Sequence, residues 1–266
     1  MLPCFPLKAT IIICKACNTP LQVLKAKVHQ TCYCLRNMKG VDLFIMTEKY
    51  TSYKKEVRQA SLWLSQQGYF GSLRGSGGNV SARIDGETSM AITPSGVKYQ
   101  DMFDEDIFIV GFDHSVIVGR SGLKPSMESG MHSIIYEKRP DVNAIVHTHQ
   151  IYGSVFALIN TPIPALFDEV SLSLGKMVEI VPYAFSGSPE LARNVESKLS
   201  SKANAYLIQN HGIVALGKSL DDAILNAELL EKTAHIYYMA LSSGKPITML
   251  PETTIERLQL MRNSYG

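Results

Sequence analysis

Three histidines follow predicted strands at positions where their imidazoles could meet. His147 and His149 follow the apolar run 144–146, and side chains two residues apart on a strand point to the same face. His211 comes shortly after a second apolar run, 206–208. Three neutral imidazoles suit zinc or a similar divalent ion, and a ligand set of three leaves one position open for substrate. The pattern therefore predicts a catalytic rather than a structural metal site.

One acidic residue, Glu128, stands just before a predicted helix over 129–139. Two readings are open. With Ser126 as a helix cap, Glu128 would be an acid of the first turn that interacts with the helix dipole. Beside a divalent cation, the same carboxylate can be a metal ligand and can act as a base on a carbon next to a metal-bound carbonyl.

Small residues and hydroxyls gather at two predicted turns, 77–81 and 93–96. Backbone N–H groups and hydroxyls in such turns can bind a phosphate without a nucleotide-binding loop of the GxxxxGK[ST] type. The glycines can equally serve tight turns alone. Both readings stay open on the residues themselves.

The first 45 residues differ from the rest of the chain. They hold six basic residues against one acid, and they contain all five cysteines. Cys14 and Cys17 with Cys32 and Cys34 give a CxxC and a CxC pair, and the CxC spacing argues against four thiolates on one zinc ion. We expect residues 1–45 to be a poorly ordered extension or to precede the true start, and residues 46–266 to form the folded domain.

Composition excludes several function classes. The net charge of +2 and the lack of a long run of basic residues argue against nucleic acid as a ligand. No apolar run reaches the ~20 residues that a membrane-spanning helix needs. A chain without cysteine after residue 45 suits a reducing compartment, so we expect a cytoplasmic protein without membrane association.

Hydrophobic periodicity predicts the elements that must position these residues. Apolar residues at helical spacing predict helices over 50–67, 129–139, 151–159 and 220–243. Short apolar or alternating runs predict strands over 79–83, 90–93, 107–112, 115–118, 144–149, 178–182, 205–208 and 213–216. Mixed strands and helices without an internal repeat favour an α/β fold in which helices cover a central sheet.

Six motifs in this order resemble the class II aldolase/adducin family, and within it the L-fuculose-phosphate aldolases. The motifs are GNVSAR, ITPSGVKY, PSMES, RPDVNAIVHTH, INTPIPAL and QNHGIVALG, and the resemblance extends over residues 52–250. It implies a three-layer αβα fold with an antiparallel-rich central sheet, and a C4 homotetramer with its sites near subunit interfaces. Because the family also contains epimerases, dehydratases, decarboxylases and non-enzymatic adducin heads, the fold transfers more directly than the reaction does.

The resemblance also implies roles for individual residues. His147, His149 and His211 fall on the zinc ligands, and Glu128 falls on the residue that is both a metal ligand and the acid/base. The phosphate-contacting positions of the family fall on four further residues, Asn79, Ser95, Gly96 and Ser126.

The sequence departs from the family pattern at two places. Met127 stands where the aldolases and epimerases carry a second serine, which removes one phosphate donor. Asp168 stands where the aldolases carry a proton-donating tyrosine, and Leu172 stands where the epimerases carry an aspartate. Asp168 or Glu169 is then a candidate general acid, although both could simply be solvated loop residues. Tail tyrosines from a neighbouring subunit are the other candidates: Tyr237, Tyr238 and Tyr265.

These inferences predict a zinc-dependent aldolase that cleaves a small sugar phosphate to dihydroxyacetone phosphate and an aldehyde. Zinc would chelate the ketose carbonyl and the adjacent hydroxyl, and Glu128 would protonate the resulting enediolate. The alternatives are a decarboxylase, dehydratase or 4-epimerase that uses the same metal centre, or an adducin-like interaction module that has lost catalysis.

Overall fold

The computed structural model describes residues 11–13, 20–22, 49–72, 75–201 and 203–265. The chain divides into two units, Met1–Lys49 and Tyr50–Gly266. In the first unit, strands β1 (Ile11–Ile13) and β2 (Pro20–Gln22) form an antiparallel pair. All five cysteines lie outside the described residues, so the interpretations of the CxxC and CxC pairs stay untested.

The second unit contains a nine-stranded mixed sheet, in the order β6-β5-β4-β3-β7-β11-β10-β9-β8. Every neighbouring pair of this sheet except β10 and β9 is antiparallel. The prediction of an α/β fold with an antiparallel-rich sheet is therefore confirmed. The strands are β3 (Asn79–Arg83), β4 (Ser89–Ile92), β5 (Phe108–Gly111), β6 (Val116–Val118), β7 (Ala144–Thr148), β8 (Ile163–Pro164), β9 (Met177–Val181), β10 (Ala205–Ile208) and β11 (Gly212–Gly217).

Helices cover both faces of this sheet and give the three layers. They are α1 (Thr51–Gln66), α2 (Ser129–Lys138), α3 (Ile151–Leu158), α4 (Asp168–Ser173), α5 (Pro189–Lys198), α6 (Leu220–Ser242) and α7 (Glu252–Tyr265). Two short 3-10 helices, Tyr99–Asp101 and Asp104–Asp106, follow β4. Residues of α1, α3, α4 and α6 belong to one hydrophobic cluster, and residues of α2 and α5 belong to another.

Alternate residues of each central strand enter opposite clusters, which explains why the strands are apolar on both faces. On β5, Phe108 and Val110 pack in the cluster with α2, whereas Ile109 packs in the cluster with α1. On β7, Ile145 likewise points away from Val146. Strands buried on both sides read as continuous apolar runs because neither face meets water.

The predicted elements exist at their expected places, with ends displaced by one or two residues. Four elements of the second unit were not predicted from the sequence: β8, α4, α5 and α7. Helix α5 does carry a readable start, because Ser188 accepts a hydrogen bond from the Leu191 backbone nitrogen at 3.2 Å and Pro189 occupies the first turn. Among the described residues, no helix has both the length and the apolar character that crossing a membrane requires.

Candidate metal centre

The sheet register brings the three histidines together. His147 lies on β7, and His149 lies one residue beyond the end of that strand. Strand β11 pairs antiparallel with β7, with Ile213 opposite Thr148, so His211 lies beside the same end of β7. Residues 64 positions apart in sequence therefore meet through one pair of hydrogen-bonded strands.

The imidazole nitrogens converge on one point. His147 Nε2 lies 3.1 Å from His149 Nε2 and 3.2 Å from His211 Nε2. Nitrogens that bind one tetrahedral zinc ion at about 2.0–2.1 Å are roughly 3.3 Å apart. The cluster therefore has the donor type and the spacing to hold a metal ion.

The Glu128 carboxylate lies against the histidine cluster. Glu128 immediately precedes α2, and its side chain makes no capping hydrogen bond to that helix. Instead, Oε2 lies 3.1 Å from His147 Nε2, and Oε1 lies 3.3 Å from His211 Nε2. The Glu128 side chain therefore does not cap α2 through a hydrogen bond. Ser126 does not cap α2 either, because its hydroxyl accepts from the Glu128 backbone nitrogen at 3.3 Å, in the turn before the helix.

The charges of the cluster are strongly coupled. Burial alone would raise the pKa of Glu128, but His147, His211 and a hydrogen bond from Asn79 together hold that pKa well below its ordinary value. Burial lowers the pKa of His149 to about 3 and that of His211 to about 4, and the neighbouring His147 adds to both shifts. Burial also opposes a charge on His147, yet the Glu128 carboxylate raises its pKa. His149 and His211 are therefore neutral near pH 7, which is the form that binds metals.

A second hydrogen bond fixes the orientation of the most buried ligand. His147 is fully buried, and its Nδ1 lies 2.7 Å from the carbonyl oxygen of Ile213. A carbonyl only accepts, so Nδ1 carries the hydrogen and Nε2 presents its lone pair. The Ser186 hydroxyl lies 3.4 Å from His211 Nε2, from the loop between β9 and α5. No motif marked Ser186, because it reaches the site only through the path of that loop.

The metal-free protein is expected to lose stability in acid. The pKa values of His132, His149 and His211 are about 3, 3 and 4 in the folded protein, below the ordinary value of 6.5, so the unfolded chain binds more protons below about pH 6.5. Glu128 acts in the same direction, whereas His147, with its raised pKa, acts in the opposite one. Urea unfolding with a chelator present should give a smaller free energy of unfolding at pH 5 than at pH 7. Equal values at the two pH values would contradict this prediction.

Gly78 allows the backbone before β3 to lie close to Phe70 and to the His147 carbonyl oxygen. It has φ +69°, and a Cβ there would lie 2.3 Å from Phe70 Cδ1 and 2.6 Å from the His147 carbonyl oxygen. A non-glycine residue with a left-handed backbone costs about 1–3 kcal/mol. Gly78→Ala is expected to lower the free energy of unfolding by at least that amount, because the added Cβ also clashes with the His147 carbonyl oxygen. Gly68→Ala is the matched control, since Gly68 has φ +81° and nothing lies within 4 Å of its added Cβ. Equal losses in urea unfolding would show that the close approach carries no cost.

Two of the residues predicted to contact phosphate, Asn79 and Ser126, contact Glu128. Asn79 Nδ2 donates to Glu128 Oε2 at 2.7 Å, so the described contact of Asn79 is with the carboxylate. The segments that carry Ser95 and Ser126 run side by side, since Ser95 N donates to Lys124 O at 2.9 Å and Ser126 N donates to Thr93 O at 3.0 Å. Gly96 is exposed with φ +73°. The structure therefore brings the two predicted turns together next to Glu128.

The candidate general acids lie elsewhere on the surface. Asp168 and Glu169 begin α4, and both are exposed. Glu169 forms an ion pair with Lys232 at 2.7 Å. Within the described part of the chain, no hydrogen bond or ion pair joins either carboxylate to the histidine cluster.

His132, which none of the predicted motifs includes, is completely buried one turn after Glu128 on α2. Its Nδ1 lies 2.7 Å from the Ser81 hydroxyl. The spacing Glu-x-x-x-His could have placed both side chains on one helix face.

Comparison with known proteins identifies the family. Residues 55–238 match the family model described as the class II aldolase and adducin N-terminal domain. The chain belongs to the class II aldolase and adducin family.

Individual relatives within this family are aldolases. The chain is 36% identical over 196 residues to 5-deoxy-D-ribulose 1-phosphate aldolase of Bacillus thuringiensis serovar kurstaki, which covers 74% of this chain and 90% of the relative. It is 34% identical over 194 residues to 5-methylthioribulose-1-phosphate/5-deoxyribulose-1-phosphate aldolase of Rhodospirillum rubrum, covering 73% and 84%. A solved L-fuculose 1-phosphate aldolase superposes with TM-score 0.71 and 31% identity over 80% of this chain and 96% of that one. This class II aldolase family member is therefore an aldolase-type lyase, as predicted.

Proposed function

We propose that the protein cleaves a ketose 1-phosphate by a zinc-dependent retro-aldol reaction into dihydroxyacetone phosphate and an aldehyde. One observation carries the proposal: a buried carboxylate, Glu128, lies within 3.3 Å of two of three converging imidazoles. This arrangement offers a metal-binding set and a proton-transfer group at one place.

The relatives support the substrate class. Their names give 5-deoxyribulose 1-phosphate, 5-methylthioribulose 1-phosphate and L-fuculose 1-phosphate as substrates of those proteins. All three are ketoses with a phosphate on C1 and a deoxygenated far end. We infer that this chain takes a ketose phosphate of the same class.

The donor set fits a divalent ion. His147, His149 and His211 would hold it together with Glu128, and nitrogen ligands in this number favour zinc over magnesium or calcium. When bound, zinc would supply Lewis acidity at the ketose carbonyl. The neutral state of His149 and His211 near pH 7 means that the site needs no deprotonation at these two residues before it binds the ion.

The chain's own residues would bind the substrate and move its protons. Ser95, Gly96 and Ser126, with Asn79 beside them, would hold the phosphate through backbone N–H groups and hydroxyls. After the C3–C4 bond breaks, Glu128 would return a proton to C3, which yields dihydroxyacetone phosphate. Burial of Glu128 keeps bulk water from its carboxylate and so keeps that proton at the site.

A proton must also be exchanged at the C4 oxygen. Asp168 and Glu169 are exposed in the single chain, so they would serve this role from a neighbouring subunit of a C4 homotetramer. The tail tyrosines Tyr237, Tyr238 and Tyr265 are the other candidates from a neighbouring copy. The tetramer and the cytoplasmic location stay predictions.

The test measures release of dihydroxyacetone phosphate by the purified full chain. The substrates are 5-deoxyribulose 1-phosphate and L-fuculose 1-phosphate, each with and without a chelator. We expect release that the chelator abolishes and that added zinc restores. Release that persists in the metal-depleted protein would contradict the proposal. Silence with zinc bound would contradict the aldol cleavage and would favour decarboxylation, dehydration or epimerisation at the same centre.

A further inference from the structure

Alternate residues of β3 make polar contacts with α2 in sequence order. Asn79, Ser81 and Arg83 point to one face of the strand because they are two residues apart. Two residues of a strand advance about 6.6–6.8 Å, and four residues of a helix advance about 6 Å. Every second residue of a strand can therefore contact every fourth residue of a helix that runs alongside it. The contacts between β3 and α2 follow this spacing.

The contacts form a ladder with three rungs, which we call the β3–α2 ladder. In the first rung, Asn79 Nδ2 donates to Glu128 Oε2 at 2.7 Å. In the second, the Ser81 hydroxyl lies 2.7 Å from His132 Nδ1 and 2.8 Å from the Tyr136 hydroxyl.

The third rung reaches the last turn of the helix. The Arg83 guanidinium donates from Nη2 to the carbonyl oxygens of Tyr136 at 2.6 Å and of Arg139 at 3.2 Å. It also lies over the Tyr136 ring, 4.8 Å from its centroid. A cation at the end of a helix satisfies carbonyls that lack a partner within the helix, so both ends of α2 are bonded to β3.

The second rung is sealed from water. Ser81 and His132 are 0% exposed and Tyr136 is 1% exposed, and Tyr136 belongs to the hydrophobic cluster between the sheet and α2. A buried polar group that loses its partner costs about 1–3 kcal/mol. Sliding α2 along β3 would break the rungs together, so the ladder favours one position of the helix.

The groups of the second rung are uncharged near pH 7. Burial lowers the pKa of His132 to about 3, so its ring is neutral near pH 7. Burial also raises the pKa of Tyr136 well above its ordinary range, so its hydroxyl keeps its hydrogen. If Tyr136 donates to Ser81 and Ser81 donates to His132 Nδ1, each hydroxyl donates once and Ser81 also accepts once. Ser81 is then the link that joins the strand to two turns of the helix.

We propose that Ser81 and His132 are positioning residues that hold Glu128 against His147 and His211. They act through the position of α2, because Glu128 stands at the start of that helix and one turn before His132. This inference rests on the proposed role of Glu128. It adds to that role a device, away from the reacting atoms, that fixes where the carboxylate lies.

The test compares five variants with the wild-type protein. Ser81→Ala removes the link and His132→Phe removes both ring nitrogens, whereas His132→Asn keeps a polar atom near the Nδ1 position. Ser61→Ala is the matched control, because Ser61 is equally buried but its hydroxyl bonds to the Arg58 carbonyl within α1. The readouts are kcat and KM for dihydroxyacetone phosphate release, and the visible absorption spectrum of the Co²⁺-loaded protein. Glu128→Ala supplies the reference spectrum of a centre without its carboxylate.

We expect Ser81→Ala and His132→Phe to lower kcat about 10–100-fold with little change in KM, the usual cost of losing an outer contact to a metal site. Their Co²⁺ spectra should move towards that of Glu128→Ala, whereas His132→Asn should stay closer to the wild type. Ser61→Ala should change neither readout. Wild-type kcat and wild-type spectra in both Ser81→Ala and His132→Phe would overturn the inference, even if their melting temperatures fall. So would a Glu128→Ala spectrum identical to that of the wild type.

The spectra separate this inference from the proposed reaction. A wild-type protein that releases no dihydroxyacetone phosphate would overturn the proposed function. The positioning role would survive that result if the Co²⁺ spectrum of Ser81→Ala still moved towards that of Glu128→Ala. Conversely, wild-type turnover together with wild-type spectra in Ser81→Ala and His132→Phe would overturn the positioning role and leave the proposed reaction standing.

Discussion

His147→Ala is expected to lower kcat/KM for ketose phosphate cleavage by at least about 10³-fold. Removal of one group that stabilises a developing oxyanion lowers the rate by up to about 10³-fold. His147 is at the centre of the cluster, with its Nε2 within 3.2 Å of both other histidines and 3.1 Å from Glu128. Its loss removes one proposed ligand and one partner of the carboxylate. The measurement is release of dihydroxyacetone phosphate together with the metal content of each preparation.

His235→Ala provides the matched control for this substitution. His235 is exposed on α6, where its ring stacks on Tyr152 at 3.9 Å between centroids, and it is not part of the histidine cluster. We expect this variant to keep its metal content and wild-type turnover. Wild-type activity of His147→Ala at equal metal content would refute the assignment of the centre.

Glu128→Gln is expected to lower kcat by about 10²–10⁴-fold, the range for loss of a general acid or base. The amide has nearly the same shape as the carboxylate and can still accept from Asn79, but it cannot transfer a proton to C3. It also removes the one titratable group that this carboxyl supplies for proton transfer. We therefore expect a change in the pH profile of kcat as well as a loss of rate.

The control for this second substitution lies on the same helix. Glu137 is on α2 but is exposed, so Glu137→Gln removes a charge without touching the cluster. Steady-state kinetics from pH 5 to pH 9 would compare both variants with the wild type. A kcat for Glu128→Gln within a few-fold of the wild-type value, with an unchanged pH profile, would exclude Glu128 as the acid/base.

The sequence by itself determined the family, the fold class and the three histidines that converge in the structure. The HxH pair needed only the two-residue period of a strand, and His211 was marked by the apolar run before it. These signals are local, because each depends on a few neighbouring residues. The ends of most elements were read to within two residues for the same reason.

Other local signals were too weak or were passed over. Strand β8 has two residues, which is too short for a period to appear. Helix α5 begins with a Ser-Pro pair, which is a helix-start signal. Glu128 and His132 are four residues apart, which is the spacing of one helix face. Both features could have been predicted from the sequence.

Only the tertiary structure places the Glu128 carboxylate against His147 and His211. From its sequence position alone, the residue fitted a capping acid as well as a metal-site carboxylate. Its carboxylate lies at the cluster because β3 and α2 are held together by the Asn79 and Ser81 contacts, which join residues 49 and 51 positions apart. Long-range contacts of this kind depend on the path of the whole chain, so no short pattern encodes them. Ser186 reaches His211 for the same reason, from 25 positions away.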